Sequence, residues 1–83
     1  MYFICIGHGN YVSINRVVSI VYPDSAPIKR QIARLREEDR LVDVTCGKPT
    51  RALILLDDGR GVLSTLHPET IANRADDKSY IRK

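Results

Sequence analysis

The sequence is short of nearly everything that stabilises a small domain by covalent or aromatic means. Only two cysteines are present, Cys5 and Cys46, and there is no Trp, one Phe and four Tyr. Two cysteines in separate apolar strand-like runs do not make a disulfide framework, and alternation with apolar neighbours reads as core cysteine with reduced thiols. The few aromatics argue against single-strand nucleic-acid recognition, which stacks bases on several aromatic side chains. No apolar run approaches the roughly 20 residues of a membrane span, and nothing reads as a signal peptide. A cytoplasmic chain without a membrane partner is expected. Its 83 residues lie just above the roughly 70–80 at which a single core becomes marginal. Neighbouring subunits are then the remaining source of buried area, which points to a homo-oligomer.

Charge is the property the chain does have. Thirteen Lys and Arg stand against ten Asp and Glu, a net charge of +3, and nine of the cations are Arg. This balance is compatible with a polyanion partner and does not require one.

Along the chain, Tyr2–Ile6 reads as a buried strand and Gly7–Asn10 as a turn. Tyr11–Ile14 continues the sheet. Val17–Tyr22, β-branched almost throughout, reads as a mostly buried strand. Pro23 ends it. Asp24 and Ser25 suit a helix N-cap, Pro27 a first turn, and Ile28, Ile32 and Leu35 form an apolar stripe. Acids at Glu37, Glu38 and Asp39 oppose the dipole and end the helix near Glu38. Leu41–Cys46 and Arg51–Leu56 read as strands flanking a Gly47–Thr50 turn at a hairpin tip. Asp58-Gly59 is a tight-hairpin signal before the return strand Gly61–Leu66. Pro68 starts a short helix to about Arg74, with Ile71 and Ala72 inward. Residues 1–75 form one domain, and 76–83 a polar tail expected to fray. The fold class is α+β: a small, mostly antiparallel sheet with one main helix and a short C-terminal one.

The candidate chemistry is sparse. Gly7-His8-Gly9 lacks the third glycine and following helix of a dinucleotide loop, so it reads as a tight turn. Cys46 with His8 or His67 suggests a nucleophile and base only loosely, and no Cys or His pair has close metal-ligand spacing. No acid–base constellation is evident. The expectation is no enzyme, no metal, no cofactor and no small-molecule substrate. Lys29, Arg30, Arg34 and Arg36 read as a solvated helix face in partial balance with its own acids, or as a subunit contact. Arg16 interrupts a strand-rich stretch where its side chain reaches outward, as a contact or as a surface ion pair. Lys48 and Arg51 flank a Pro-Thr turn on a rigid sheet, and the Thr50 hydroxyl suits a phosphate.

The run Ile6-Gly7-His8-Gly9-Asn10-Tyr11-Val12-Ser13-Ile14-Asn15-Arg16 resembles the opening of the RemA-type extracellular matrix regulators of bacteria. So do Pro23-Asp24-Ser25-Ala26-Pro27-Ile28-Lys29-Arg30, Leu41-Val42-Asp43, Thr50-Arg51-Ala52 and Pro68-Glu69-Thr70. The resemblance runs over residues 2 to 75 in order. It implies a LytTR-like fold, a closed ring of identical subunits, binding of double-stranded DNA by repeated basic positions, and activation of biofilm matrix genes. The implied DNA contacts are Arg16, Lys48, Thr50 and Arg51. The family's turn typically reads Gly-Arg-Arg-Thr-Arg, whereas here Pro49 replaces a cation and removes a backbone donor. This departure keeps a second reading open, an oligomeric adaptor with weakened or lost DNA binding.

Overall fold

The computed structural model describes residues 3–76, and the backbone of 81–82. It is α+β, with two helices and two sheets ordered β2-β1-β7 and β3-β5-β6-β4, as the strands are introduced below.

β1 (Phe3–Gly7) and β2 (Asn10–Ser13) form an antiparallel hairpin. Its loop residues His8 and Gly9 both take left-handed φ, 51° and 75°, which matches the right-handed twist of a tight hairpin. Alternation puts Ile4 and Ile6 in the core, with Phe3 and Cys5 half-buried. A 3₁₀ turn (Ile14–Arg16) then leads into β3 (Val17–Val21). Its composition predicts a mostly buried strand, but its residues are half-buried or exposed. It pairs only with β5 and forms a sheet edge, and its register breaks between Val17 and Ser19, leaving Val18 67% exposed. β-branched composition reports strand propensity, and edge position decides burial.

α1 spans Ala26–Glu37, with the Ser25 hydroxyl accepting from the Ile28 amide at 3.4 Å and a proline in the first turn. At its far end the Arg40 amide donates to Leu35 O and the Asp39 amide to Arg36 O, with Asp39 at φ 56°. This is a Schellman-type stop with aspartate where glycine is usual. Leu35 is the buried residue of α1 and lies over Gly61, where a Cβ would come within 2.8 Å of its Cδ1. Gly61 therefore sets how closely the helix approaches the sheet.

β5 (Ala52–Leu56) and β6 (Gly61–Ser64) form the second hairpin. The Leu56 amide donates to Arg60 O, the Gly59 amide to Leu56 O, and Gly59 takes φ 87°, a three-residue loop ending on a left-handed glycine. β4 (Leu41–Asp43) lies parallel to β6 on its other side. β4 and β5 thus do not pair, and the connection between them crosses the end of β6 instead of forming a hairpin tip. The expected strand Leu41–Cys46 also stops early. The Asp43 carboxylate accepts from the Thr45 amide, which takes that donor out of the ladder. Thr45 occupies the buried position, and Cys46 is exposed at φ 55°. Neither cysteine is a core residue: Cys5 is half-buried and Cys46 lies in a turn.

Ala52, Leu53 and Ile54 are buried on both faces of β5. One face, with Ala52, Ile54 and Val62, meets Ile4, Ile6 and Ile71 of the other sheet and α2 (Pro68–Asp76). The other face meets α1. Ala72 does not join this core. It is exposed, and Ala75, one turn beyond Ile71, packs there instead. Of the tail expected to fray, Asp76 ends α2, and the backbone of β7 (Ile81–Arg82) pairs with Phe3 and Ile4. Residues 77–80 and 83 lie outside the described residues.

Ser64 joins these layers. Its side chain is fully buried, its hydroxyl donates to Ile6 O at 2.6 Å, and the same oxygen accepts from the Leu66 amide at 3.1 Å. Ser64→Ala leaves both backbone groups without that partner in a dry site. We expect it to lower unfolding stability by about 1–3 kcal/mol in urea titrations, more than a surface Ser→Ala change.

Candidate nucleic-acid interface

The β4–β5 connection is held at both ends by the last residues of β6. The Val44 amide donates to Leu63 O at 3.2 Å and the Arg51 amide to Ser64 O at 2.8 Å. Between these anchors the chain is braced from within. The Asp43 carboxylate accepts from both the Thr45 amide (2.9 Å) and the Thr45 hydroxyl (2.6 Å), and the Lys48 amide donates to Thr45 O at 3.1 Å. Cys46 and Gly47 then reverse the chain with φ of 55° and 79°. Lys48, Pro49 and Arg51 are exposed, and Thr50 is half-buried. The side chains of Lys48 and Arg51 make no hydrogen bond or ion pair among the described residues. Two cations are thus presented on a braced backbone with no acid paired to them among the described residues.

Arg16 is placed differently. It ends the 3₁₀ turn, its carbonyl accepts from the Asp57 amide at 2.8 Å, and its guanidinium reaches the Asp57 carboxylate at 3.4 Å. The side chain remains 62% exposed, so this is a surface pair of about 0–1 kcal/mol. Arg16 is therefore accessible, with its charge partly committed.

The register of β3 on β5 separates these two features. Val17 lies opposite Leu56, so Arg16 sits beyond one end of β5, while Arg51 precedes Ala52 at the other. The six steps from Arg51 to Asp57 span about 20 Å at roughly 3.3 Å each. Arg16 and the Lys48–Arg51 turn do not form one patch in a single subunit. The structure brings Lys48, Thr50 and Arg51 together and leaves Arg16 apart.

Charge compensation follows the same axis. At the Arg16 end, Arg60 pairs with Asp58 at 3.0 Å and Arg40 with Glu38 at 4.0 Å, alongside Arg16–Asp57. At the turn end, Asp43 is engaged with Thr45. Asp57 is not legible in the sequence as the partner of Arg16, because 41 positions separate them and the β3–β5 pairing joins them. The brace of Asp43 and Thr45 has a usable sequence signal in its Asp-x-Thr spacing. Among the described residues no group of His, Cys, Asp and Glu is placed to hold a metal ion, and no helix is long and apolar enough to cross a membrane.

The Thr45 hydroxyl and amide, and then the Arg36 charge, hold the Asp43 carboxyl below its ordinary range. A depressed aspartate contributes stability that is present above its unfolded value and is lost as pH falls through the folded one. A carbon-detected NMR titration should give Asp43 a midpoint below that of an unstructured aspartate. The Thr45 amide shift should follow the same midpoint, and Thr45→Val should move Asp43 back upward.

A family model described as RemA-like, extracellular matrix regulatory protein A-like, matches residues 3–75. The chain is 53% identical over 81 residues to a protein of Bacillus cereus strain AH187, covering 98% of this chain and 93% of that one. It is 53% identical over 78 residues to proteins of Bacillus cytotoxicus strain DSM 22905 and Bacillus mycoides strain KBAB4, covering 94% of this chain and 90% of each relative. The names of these relatives propose a regulatory role and specify no target.

Proposed function

Because the chain belongs to the RemA-like family of regulatory proteins, we propose that it is a cytoplasmic transcriptional regulator that binds double-stranded DNA. Lys48, Thr50 and Arg51 make the principal phosphate contact, and Arg16 makes a second. The protein works as a homo-oligomer, a closed ring, on extracellular matrix genes. The observation that carries this reading is the uncompensated pair Lys48 and Arg51 on a braced turn.

Multiplicity supplies what one subunit lacks. Two free cations neutralise few phosphates, and each phosphate contact contributes a salt slope of only about 0.9. Several turns on one rigid assembly raise the effective affinity without any new type of contact. Repetition also gives the 20 Å separation a use. Adjacent subunits arranged head to tail bring the Arg16 end of one toward the Lys48 end of the next, so a bound duplex meets both along its path.

A second reading has Pro49 in its favour. The exposed proline removes a cation and an amide donor from the centre of the turn, which suits an oligomeric adaptor that does not bind DNA.

The test is fluorescence anisotropy on a long duplex across a salt series. The wild type should bind at low salt and weaken steeply as salt rises. Lys48→Ala/Arg51→Ala should reduce the affinity most, and Arg16→Ala less. Asp57→Asn should tighten binding by releasing Arg16, and Pro49→Arg should steepen the salt slope by about 0.9 for each further phosphate neutralised. Absence of duplex binding at low salt, or indifference to all these changes, rejects the reading and leaves the adaptor.

A further inference from the structure

α1 carries Lys29, Arg30, Arg34 and Arg36, all exposed. Leu35 is buried, and Ile28 and Ile32 share its side of the helix. At 3.6 residues per turn, Arg30 and Arg34 stand on the far side, with Lys29 and Arg36 together on one flank. The composition suggests a solvated face in partial balance with its own acids, or a subunit contact. The face is exposed. Among the described residues, Lys29, Arg30 and Arg34 have no ion pair or side-chain hydrogen bond, and Glu38 reaches Arg40 instead. Arg36 lies in electrostatic reach of Asp43.

Part of this charge order works against the helix. Arg30 and Arg34 are like charges at i and i+4, which repel. Arg34 and Arg36 lie in the last turn, where the dipole favours cations, so the dipole does not account for the repulsion between Arg30 and Arg34. A bound polyanion relieves that repulsion.

The N-terminal end of α1 lies toward the Lys48–Arg51 turn. β3 finishes with Val21 opposite Leu53, beside Ala52, and α1 follows after four residues. The helix then runs back to the opposite end of the sheet, where Arg40 O accepts from the Gly61 amide. Lys29 and Arg30, which have no ion pair among the described residues, therefore lie toward the end of the sheet that carries Lys48 and Arg51, and the paired arginines lie toward the other.

We propose that the exposed face formed by Arg30 and Arg34 is a second phosphate-contacting surface that engages the same duplex as the turn. This rests on the DNA-binding reading of that turn. Arg30 and Arg34 are separated by about 6 Å along the helix, one turn apart on one side of it. Contacts of this kind position a protein on DNA and carry no sequence information.

The experiment compares Arg30→Gln/Arg34→Gln with Arg40→Gln/Arg60→Gln, both in the full chain. Each removes two positive charges, from unpaired positions in the first and from paired ones in the second. Affinity for duplex DNA is measured across a salt series, with assembly mass by light scattering and the thermal midpoint for each variant. The α1 pair should flatten the salt slope by about 0.9 for each phosphate no longer neutralised, equally on unrelated duplex sequences, with mass unchanged and the midpoint not lowered. The control pair should keep the wild-type slope. An unchanged slope in the α1 variant overturns the proposal, as does an equal flattening in both variants, which is a general field effect. A changed mass also overturns it and makes α1 an interface between copies. Failure of the wild type to bind any duplex overturns the reading of the turn and this surface with it. Wild-type binding with an unaltered α1 variant removes this surface alone.

Discussion

The arrangement depends on one buried hydroxyl at the end of β6. Ser64 donates to the carbonyl of Ile6, accepts from the amide of Leu66, and through its own carbonyl accepts from the amide of Arg51. One residue thus ties the two sheets together, starts the chain toward α2, and fixes the far anchor of the turn that carries Lys48. A buried polar group is costly when unpaired and specific when fully paired. Packed apolar residues hold the sheets face to face, and the force that does so is not directional. The directional bonds of Ser64 set their relative position. The exposed basic turn therefore inherits its rigidity from the core.

That rigidity matters because the two basic features are far apart. β5 spans the molecule, with Arg51 before its first residue and Asp57 after its last. A soft scaffold would leave their separation variable. Ala52, Leu53 and Ile54, buried on both faces of β5, restrain it. The electrostatics have the same axis. Among the described residues Arg16, Arg40 and Arg60 each pair with an acid, whereas Lys48, Arg51 and the N-terminal cations of α1 form no ion pair. A modest net charge of +3 is in this way distributed unevenly, and the distribution says more about a polyanion partner than the total does.

Much of the chain was legible because local rules and tertiary context agree. Ser25 and Pro27 marked the start of α1, the acids after Arg36 marked its end, and Asp58-Gly59 marked the β5–β6 hairpin. The readings that changed share one cause. Strand composition predicted that Val17–Tyr22 would be mostly buried and that Leu41–Cys46 would be a strand with a core cysteine. Neither inference contains the strand order, in which β3 is an edge and β4 skips past β5 to pair with β6. The supposed hairpin tip at Lys48 is for the same reason a crossover, anchored to a strand that neither of its neighbours in sequence would suggest.

From the sequence alone came the α+β class, the element types, the family resemblance, and the basic residues that can reach outward. These follow from periodicity, caps and turn chemistry, all of which act within a few residues. The tertiary structure decided which cations are free. It placed Asp57 against Arg16 across 41 positions, hung the Lys48–Arg51 turn on Ser64, and left Lys29, Arg30 and Arg34 without an ion pair among the described residues. Charge pairing is a property of distance in space, and only strand order and register convert positions in a chain into such distances.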